Sequence, residues 1–473
     1  MQKIFLLFIC IFLSITTFSQ TINTKKLDSL FDILDSNHLA MGSVAIAKDG
    51  KIVYQRQIGY SYIDDNKKIA ANADTKYRIG SITKMFTAVI IFRLIEEGKL
   101  SLDTKLAKFY PQIPNADKIT IEMLLRHRSG LYNYVDDFVS TDTVDKKNYN
   151  YDDYLLMNNL GWLTNPLSKD SILNIIKNGE VHFQPNTKVQ YCNSGYWLLG
   201  RIIENITHES FTKNVKKRIV GKINLKNTYV GKQYDKNKSK KQAESYFYCG
   251  EWNKIDDIYL PNASAAGAIL STPTDLVKFI QSLFASKLIS KESLSKMTSF
   301  IDMTDSSIMN HFGMGIMTIP FGEDVGLGHA GDTYGEHSML VYFQKYNLII
   351  AYTINGNSNF LASNDIADYL FCVSRNIPFD FPNTSREYIK QSEELNQYLG
   401  VYSSKQLPLK FTFTKLCEKL FLQATGQHEL ETKSIAKNKF TIDDIHASME
   451  FFPEKGELVY TQNGKTYLFT KDQ

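Results

Sequence analysis

The sequence predicts an α/β (α+β) fold: an antiparallel sheet flanked by helices, with an α-helical region, followed by a small all-β barrel. Three observations carry this reading. A short amphipathic segment near the start runs straight into a hairpin pattern. A strongly apolar helix follows it. From about residue 390 the chain becomes short alternating runs separated by turn residues.

Taken in order, the first twenty residues, MQKIFLLFICIFLSITTFSQ, carry one lysine and a mostly apolar run from Ile4 to Leu13, then end in small and polar residues. That run is shorter than the ~20 residues a spanning helix needs, and it has the layout of a secretory signal. Thr17 and Ser19 occupy small-residue positions, so cleavage is expected after Ser19. The mature protein is then exported, periplasmic or secreted. An uncleaved anchor is the alternative, and the only route to a membrane. Cys10 lies in the apolar run with no lipobox around it.

KKLDSLFDILDS (25–36) has apolar residues at helical spacing. SVAIAKDGKIVYQRQIGY (43–60) is two alternating runs around Asp49-Gly50, a dipeptide that favours the tight turn matching strand twist. SITKMFTAVIIFRLIEEGKL (81–100) is apolar on most faces and stops at Gly98, which predicts a buried helix. Further helices are expected at 120–126, 172–178, 194–205 and 274–285. Residues 132–157 and 232–252 read as insertions, either cleft walls or surface loops. Composition changes near Ile377-Pro378. The last segment, with Asn463-Gly464 marking another hairpin, reads as roughly eight strands without a helix, a small barrel or sandwich. The domains expected are therefore a signal over 1–19, an α/β domain over 20–380 and a β-barrel over 390–473.

The totals exclude some functions. Of 473 residues, 43% are hydrophobic and 22% charged, as in an ordinary folded protein long enough for more than one domain. Fifty-four basic residues against 50 acidic leave a net charge of only +4, so no nucleic-acid partner is expected. Cys192, Cys249, Cys372 and Cys417 show no CxxC and no metal-ligand spacing. They are read as mostly free and buried, with room for one disulfide.

Three short motifs carry the chemistry. Ser81-Ile82-Thr83-Lys84 has the form SxxK, which recurs at 210–213, 293–296 and 434–437. Ser81 differs by following Arg78-Ile79-Gly80 and opening a long apolar helix. Positions i and i+3 share a helix face, so Lys84 would sit beside Ser81 and take its proton. On its own the tetrapeptide is better read as a helix N-cap, and only the two further motifs reverse that balance. Tyr191-Cys192-Asn193 is the only Y-x-N in the chain and precedes a glycine-punctuated apolar helix. Tyrosine can share the base role, and asparagine can donate to a substrate carbonyl while accepting from lysine. His329-Ala330-Gly331, in GHAGDTYG, sits between a turn and a strong strand. Gly331 would let a substrate backbone approach closely. The N–H of Asp332 would join that of Ser81 in an oxyanion hole.

In this order SxxK, YxN and HxG resemble the serine β-lactamase-related family: class C β-lactamases, low-molecular-weight penicillin-binding proteins, D-aminopeptidases and related esterases. TIEMLLRHRSGL (120–131), SAAGAILSTPTDLVKFI (264–280) and FGMGI (312–316) look like further segments of that family, and the resemblance covers about residues 25–370. It implies a β-lactamase/transpeptidase-like fold and a lipocalin-like C-terminal barrel. It makes Ser81 the nucleophile and Lys84 and Tyr191 the shared general base and acid. Asn193 then orients the substrate amide, and His329 lines the cleft, backing Tyr191 or touching substrate. No metal or organic cofactor is implied.

The chain departs from the pattern at one place. Lactamases and transpeptidases of this kind usually carry lysine where His329 stands and a hydroxyl residue next, and no K-[ST]-G occurs anywhere. A histidine of ordinary pKa is mostly neutral at pH 7 and grips a carboxylate weakly. The expectation is an exported serine hydrolase cleaving amide or ester bonds of peptides, D-amino-acid or cell-wall peptides among them, or of small esters. Its partner is then a small peptide or ester substrate, peptidoglycan fragments included. The alternatives are a β-lactamase or D,D-carboxypeptidase, and a non-catalytic protein that binds peptidoglycan or a partner.

Overall fold

The computed structural model describes residues 22–472 apart from 65, 136, 138–164, 233–241, 256–258, 301–311, 334, 359–362, 380–391, 417–418, 426–428 and 443–444. The expected signal segment, Cys10, Cys417, the junction near 380–390 and parts of both expected insertions lie outside the described residues.

Helix α1 (Thr24–Ser36) is capped by Asn23, whose side chain accepts from the Lys26 N–H, and buries Leu27, Leu30, Phe31 and Leu34 as one stripe. Strands β1 (Ala40–Lys48) and β2 (Lys51–Ile58) follow. Asp49 and Gly50 between them both have positive φ, at 52° and 81°, as the expected hairpin turn requires. After the two-residue strand β3 (Tyr77–Arg78) comes α2 (Thr83–Glu96), buried on every face over its first three turns. Helices α3 (Ile121–Leu125), α4 (Lys169–Asn178) and α5 (Asn193–Thr207) match three expected segments. Then come β4 (Tyr246–Cys249), β5 (Glu251–Lys254), β6 (Ile269–Ser271) and α6 (Pro273–Phe284), the last capped by Thr272. Strands β7 (Met317–Phe321), β8 (Asp324–Thr333), β9 (Glu336–Phe343) and β10 (Leu348–Asn357) lead to α7 (Ser363–Arg375), a helix the sequence reading missed.

The main sheet runs β7-β8-β9-β10-β1-β2, antiparallel throughout. Alternation along its strands separates two cores. Ala45, Ala47, Leu340 and Ala351 face the cluster built with α2, α5 and α6. Val44, Ile46, Val341 and Ile350 face the cluster built with α1 and α7. The described part of the second insertion is not a loose loop. Its hairpin β4-β5 extends the sheet, with β4 joining β10 in parallel where β9 has ended.

The C-terminal sheet has nine antiparallel strands between Gly400 and Lys471, one more than expected, with a 3-10 turn before it at Ser392–Tyr398 and another between two strands at Pro453–Lys455. Its two outermost strands, Glu429–Glu431 and Lys433–Ala436, are separated only by Thr432, so the sheet curls into a nearly closed barrel. Aromatic side chains pack its interior: Phe451 meets Tyr398, Phe413 and Phe440 at centroid distances of 4.7, 4.9 and 5.6 Å. Among the described residues no helix is long and apolar enough to cross a membrane. Cys192 and Cys372 are free thiols, Cys192 buried and Cys372 only partly so.

Candidate active site

Ser81 is not the first residue of the long helix. It lies in a 3-10 turn, Gly80–Ile82, from which α2 continues at Thr83. The i, i+3 relation survives this shift, and Lys84 Nζ donates to Ser81 Oγ at 2.9 Å. The same ammonium group donates to Asn193 Oδ1 and to the Ala266 carbonyl, each at 2.8 Å. Three acceptors match its three N–H bonds. Lys84 is fully buried, and its charge is satisfied inside the protein by these polar partners.

Asn193 is the first residue of α5, and Tyr191 stands just outside it, with Cys192 extended as the N-cap residue. Lys84 Nζ lies 4.8 Å from the centroid of the Tyr191 ring. Ser81 and Tyr191 are half-buried, whereas Lys84 and Asn193 are buried. The two groups that would exchange a proton with substrate thus reach the surface, and those that hold them do not. SxxK and YxN are therefore brought together, from positions 110 residues apart in the chain.

The third motif is near them, in a different setting from the one expected. His329 lies inside strand β8, paired with Leu340 of β9, and not in a turn. Strand β7 pairs with β8 only as far as Gly328, so residues 329–333 run on past it and lie against the Ser81 turn. His329 is buried, and its Nδ1 bonds to the Ala330 carbonyl. Its pKa is not ordinary: burial and the neighbouring Lys84 charge push it down to about 4. The imidazole is neutral at pH 7 for a stronger reason than composition gave.

Gly331 also needs correcting. A Cβ there would sit 2.0 Å from the Ile79 carbonyl oxygen, so the close approach seen at this glycine is by the protein's own backbone. The reciprocal contact is at Gly80, where φ is +45° and a Cβ would lie 2.7 Å from the Asp332 nitrogen. These contacts bring the Asp332 amide next to the Ser81 turn. The Asp332 side chain alternates to the outer face, where it is exposed and pairs with His337 Nδ1 at 2.7 Å.

Several supporting residues were not singled out. Arg78 and Glu336 form a buried ion pair at 2.6 Å, and Glu336 also accepts from the Arg78 N–H. This ties the strand leading to Ser81 onto β9. Ser338 Oγ lies 3.0 Å from both the Ile79 and Gly331 carbonyls. Asn133 Oδ1 accepts the Asn193 N–H at 3.1 Å, and Ser194 Oγ donates to the Tyr132 carbonyl at 2.6 Å. His127, within the RHRSGL stretch, stacks on Tyr191 with ring centroids 4.4 Å apart. His329 is 6.2 Å from that ring, so His127 is the residue that backs Tyr191. The only signal for Ala266 and His127 in the sequence was membership of longer recognisable stretches, since carbonyl and stacking roles leave no spacing rule, and Asn133 fell in the segment read as an insertion.

The family profile described as Beta-lactamase matches residues 28–371. The chain belongs to the beta-lactamase family. As a member of the beta-lactamase family it is a serine hydrolase, and it is similar to relatives of two kinds. Penicillin-binding protein 4* of Bacillus subtilis (strain 168) is 24% identical over 447 residues, covering 90% of this chain and 93% of that one. Protein flp of Staphylococcus aureus (strain MRSA252) is 32% identical over 228 residues, but these span only 47% of this chain and 41% of flp. Among solved structures, the octameric penicillin-binding protein homologue from Pyrococcus abyssi aligns with a TM-score of 0.64 at 23% identity, covering 95% of this chain and all of that one. D-amino acid amidase from Ochrobactrum anthropi SV3, in complex with L-phenylalanine, aligns with a TM-score of 0.61 at 23% identity, over 74% of this chain and 99% of that one. At such identities these two show the fold of the beta-lactamase family. Among the described residues no cluster of His, Cys, Asp or Glu is arranged to hold a metal ion.

Proposed function

We propose that this protein is an exported hydrolase that forms an acyl-enzyme on Ser81 and cleaves amide or ester bonds of small peptides or esters, D-amino-acid and cell-wall peptides included. The observation that carries the reading is the single Lys84 ammonium that holds Ser81 Oγ and Asn193 Oδ1 at once. In the reaction Ser81 Oγ attacks the substrate carbonyl carbon while its proton passes to the Tyr191 phenolate, which the neighbouring Lys84 ammonium stabilises. The oxyanion is received by the N–H groups of Ser81 and Asp332. The proton passes to the leaving amine or alcohol as the C–N or C–O bond breaks. Water then attacks the ester, releasing the acid and restoring the serine. Asn193, with its oxygen taken by Lys84, offers its NH2 to the substrate carbonyl.

Substrate preference follows from His329. A neutral imidazole at that position provides no fixed charge for the carboxylate of a β-lactam or a D-alanyl terminus. Neutral amides and esters lose nothing by this. That a D-amino acid amidase and penicillin-binding proteins share the fold supports amide substrates. The test is labelling by a fluorophosphonate probe with Ser81→Ala alongside, then turnover of a p-nitrophenyl ester, D-amino-acid amides and a chromogenic cephalosporin. Labelling lost in the variant, with ester or amide turnover well above cephalosporin turnover, is the expected result. Equal labelling of both proteins would remove the hydrolase reading in favour of a binding protein. Cephalosporin turnover rivalling the ester would restore the lactamase reading.

A further inference from the structure

His127 takes no part in the proton transfers proposed above, yet several of its contacts converge on Tyr191. It follows α3 in the left-handed backbone region, at φ +57°, which costs a non-glycine residue about 1 kcal/mol or more. Its carbonyl accepts the Gln190 N–H at 3.0 Å, and its side-chain Nδ1 accepts the Cys192 N–H at 3.0 Å. One residue therefore ties down the chain on both sides of Tyr191. Its ring stacks on the phenol at 4.4 Å, and is itself held by Tyr196 and Phe312, each 5.2 Å away. Tyr196 in turn donates its hydroxyl to the Leu125 carbonyl at 2.7 Å, so this wall is anchored to α3.

Acceptance at Nδ1 fixes the tautomer, with the proton on Nε2. A doubly protonated ring would set N–H against N–H at Cys192. Burial first, then the Lys84 charge, hold His127 well below the ordinary histidine range and keep that acceptor in place.

We propose that His127 is the positioning residue for Tyr191: its Nδ1 acceptor and its ring face together hold the phenol in register with Lys84 and Ser81. This rests on the reading of Ser81 and Tyr191 given above. A ring without the acceptor, or an acceptor without the ring, should each do part of the work.

The test compares wild type, His127→Phe, His127→Asn, Tyr191→Phe and the double variant His127→Phe/Tyr191→Phe on the ester substrate, with melting temperatures for each. Asparagine tolerates the left-handed backbone and offers Oδ1 in place of Nδ1. His127→Phe should lower kcat about 10- to 100-fold, the range expected of a misplaced catalytic group, with KM nearly unchanged. His127→Asn should recover part of that loss. In the Tyr191→Phe background His127→Phe should cost little more, because its effect passes through the tyrosine. An equal cost in both backgrounds overturns the inference. A crystal structure of His127→Phe decides it without reference to activity: the Tyr191 ring should move relative to Lys84 Nζ, and an unmoved ring overturns the inference. Absence of Ser81-dependent turnover in wild type would instead overturn the reading of the site.

Discussion

His329 is neutral because the fold puts it in a dry place beside a cation. In the unfolded chain it takes up a proton near 6.5, and in the folded protein only near 4. Between those values the unfolded state binds more protons, so stability rises with pH and is lost as pH falls from about 6.5 towards 4. The full shift corresponds to roughly 3 kcal/mol. His127 is displaced in the same direction and adds to the effect. Melting temperature should therefore drop more steeply between pH 7 and pH 5 in wild type than in His329→Asn. Parallel curves would mean that His329 is not a source of the acid sensitivity. This residue was legible in the sequence as a departure from a pattern, but its pKa was not. Nothing in GHAGDTYG says how little water reaches the ring.

The nucleophile turn and strand β8 act as a pair of interlocked backbones. Gly80 and Gly331 each leave room for a main-chain group of the other segment, and Ser338 and the Arg78–Glu336 pair fasten the join. Gly331→Ala would force a methyl group into the Ile79 carbonyl and displace the turn that carries Ser81. A shift of about 1 Å in such a site is worth about 100-fold in rate, so acylation should fall by that order while circular dichroism stays native. Retained activity would show that the join does not set the geometry. Glu336→Gln removes one charge of a buried pair and should cost about 3–5 kcal/mol in stability, read from denaturant unfolding. At this scale the sequence located the elements well. The apolar periodicity read at 81–100, 194–205 and 274–285 and the Asp49-Gly50 turn are local signals, and helices or hairpins form there. It misplaced Ser81 by a turn and His329 by half a strand, because element ends depend on what packs against them.

The whole molecule is a main sheet with a core on each face, and a C-terminal barrel with a core of its own. The barrel interior is filled by stacked and edge-on aromatic rings, so its stability rests on their packing. Phe451→Ala removes the ring at the centre of that cluster and should cost about 3–5 kcal/mol. We expect calorimetry of this variant to show a transition moved to lower temperature, with Ser81 still labelled by a fluorophosphonate below it. Simultaneous loss of labelling and of the barrel transition would show that the two cores unfold as one.

Sequence alone determined the fold class, the two kinds of architecture in one chain, and the three motifs. Each is written in local periodicity, turn chemistry or a short run of residue types. Tertiary structure alone showed that the Asn193 side chain and the Ala266 carbonyl both meet Lys84. It decided that Gly331 serves the protein's own backbone and that His127 backs Tyr191. It also decided that the histidine in the lysine's usual place is held neutral. Those facts depend on burial and on contacts between segments far apart in the chain, and water exclusion is a property of the folded whole.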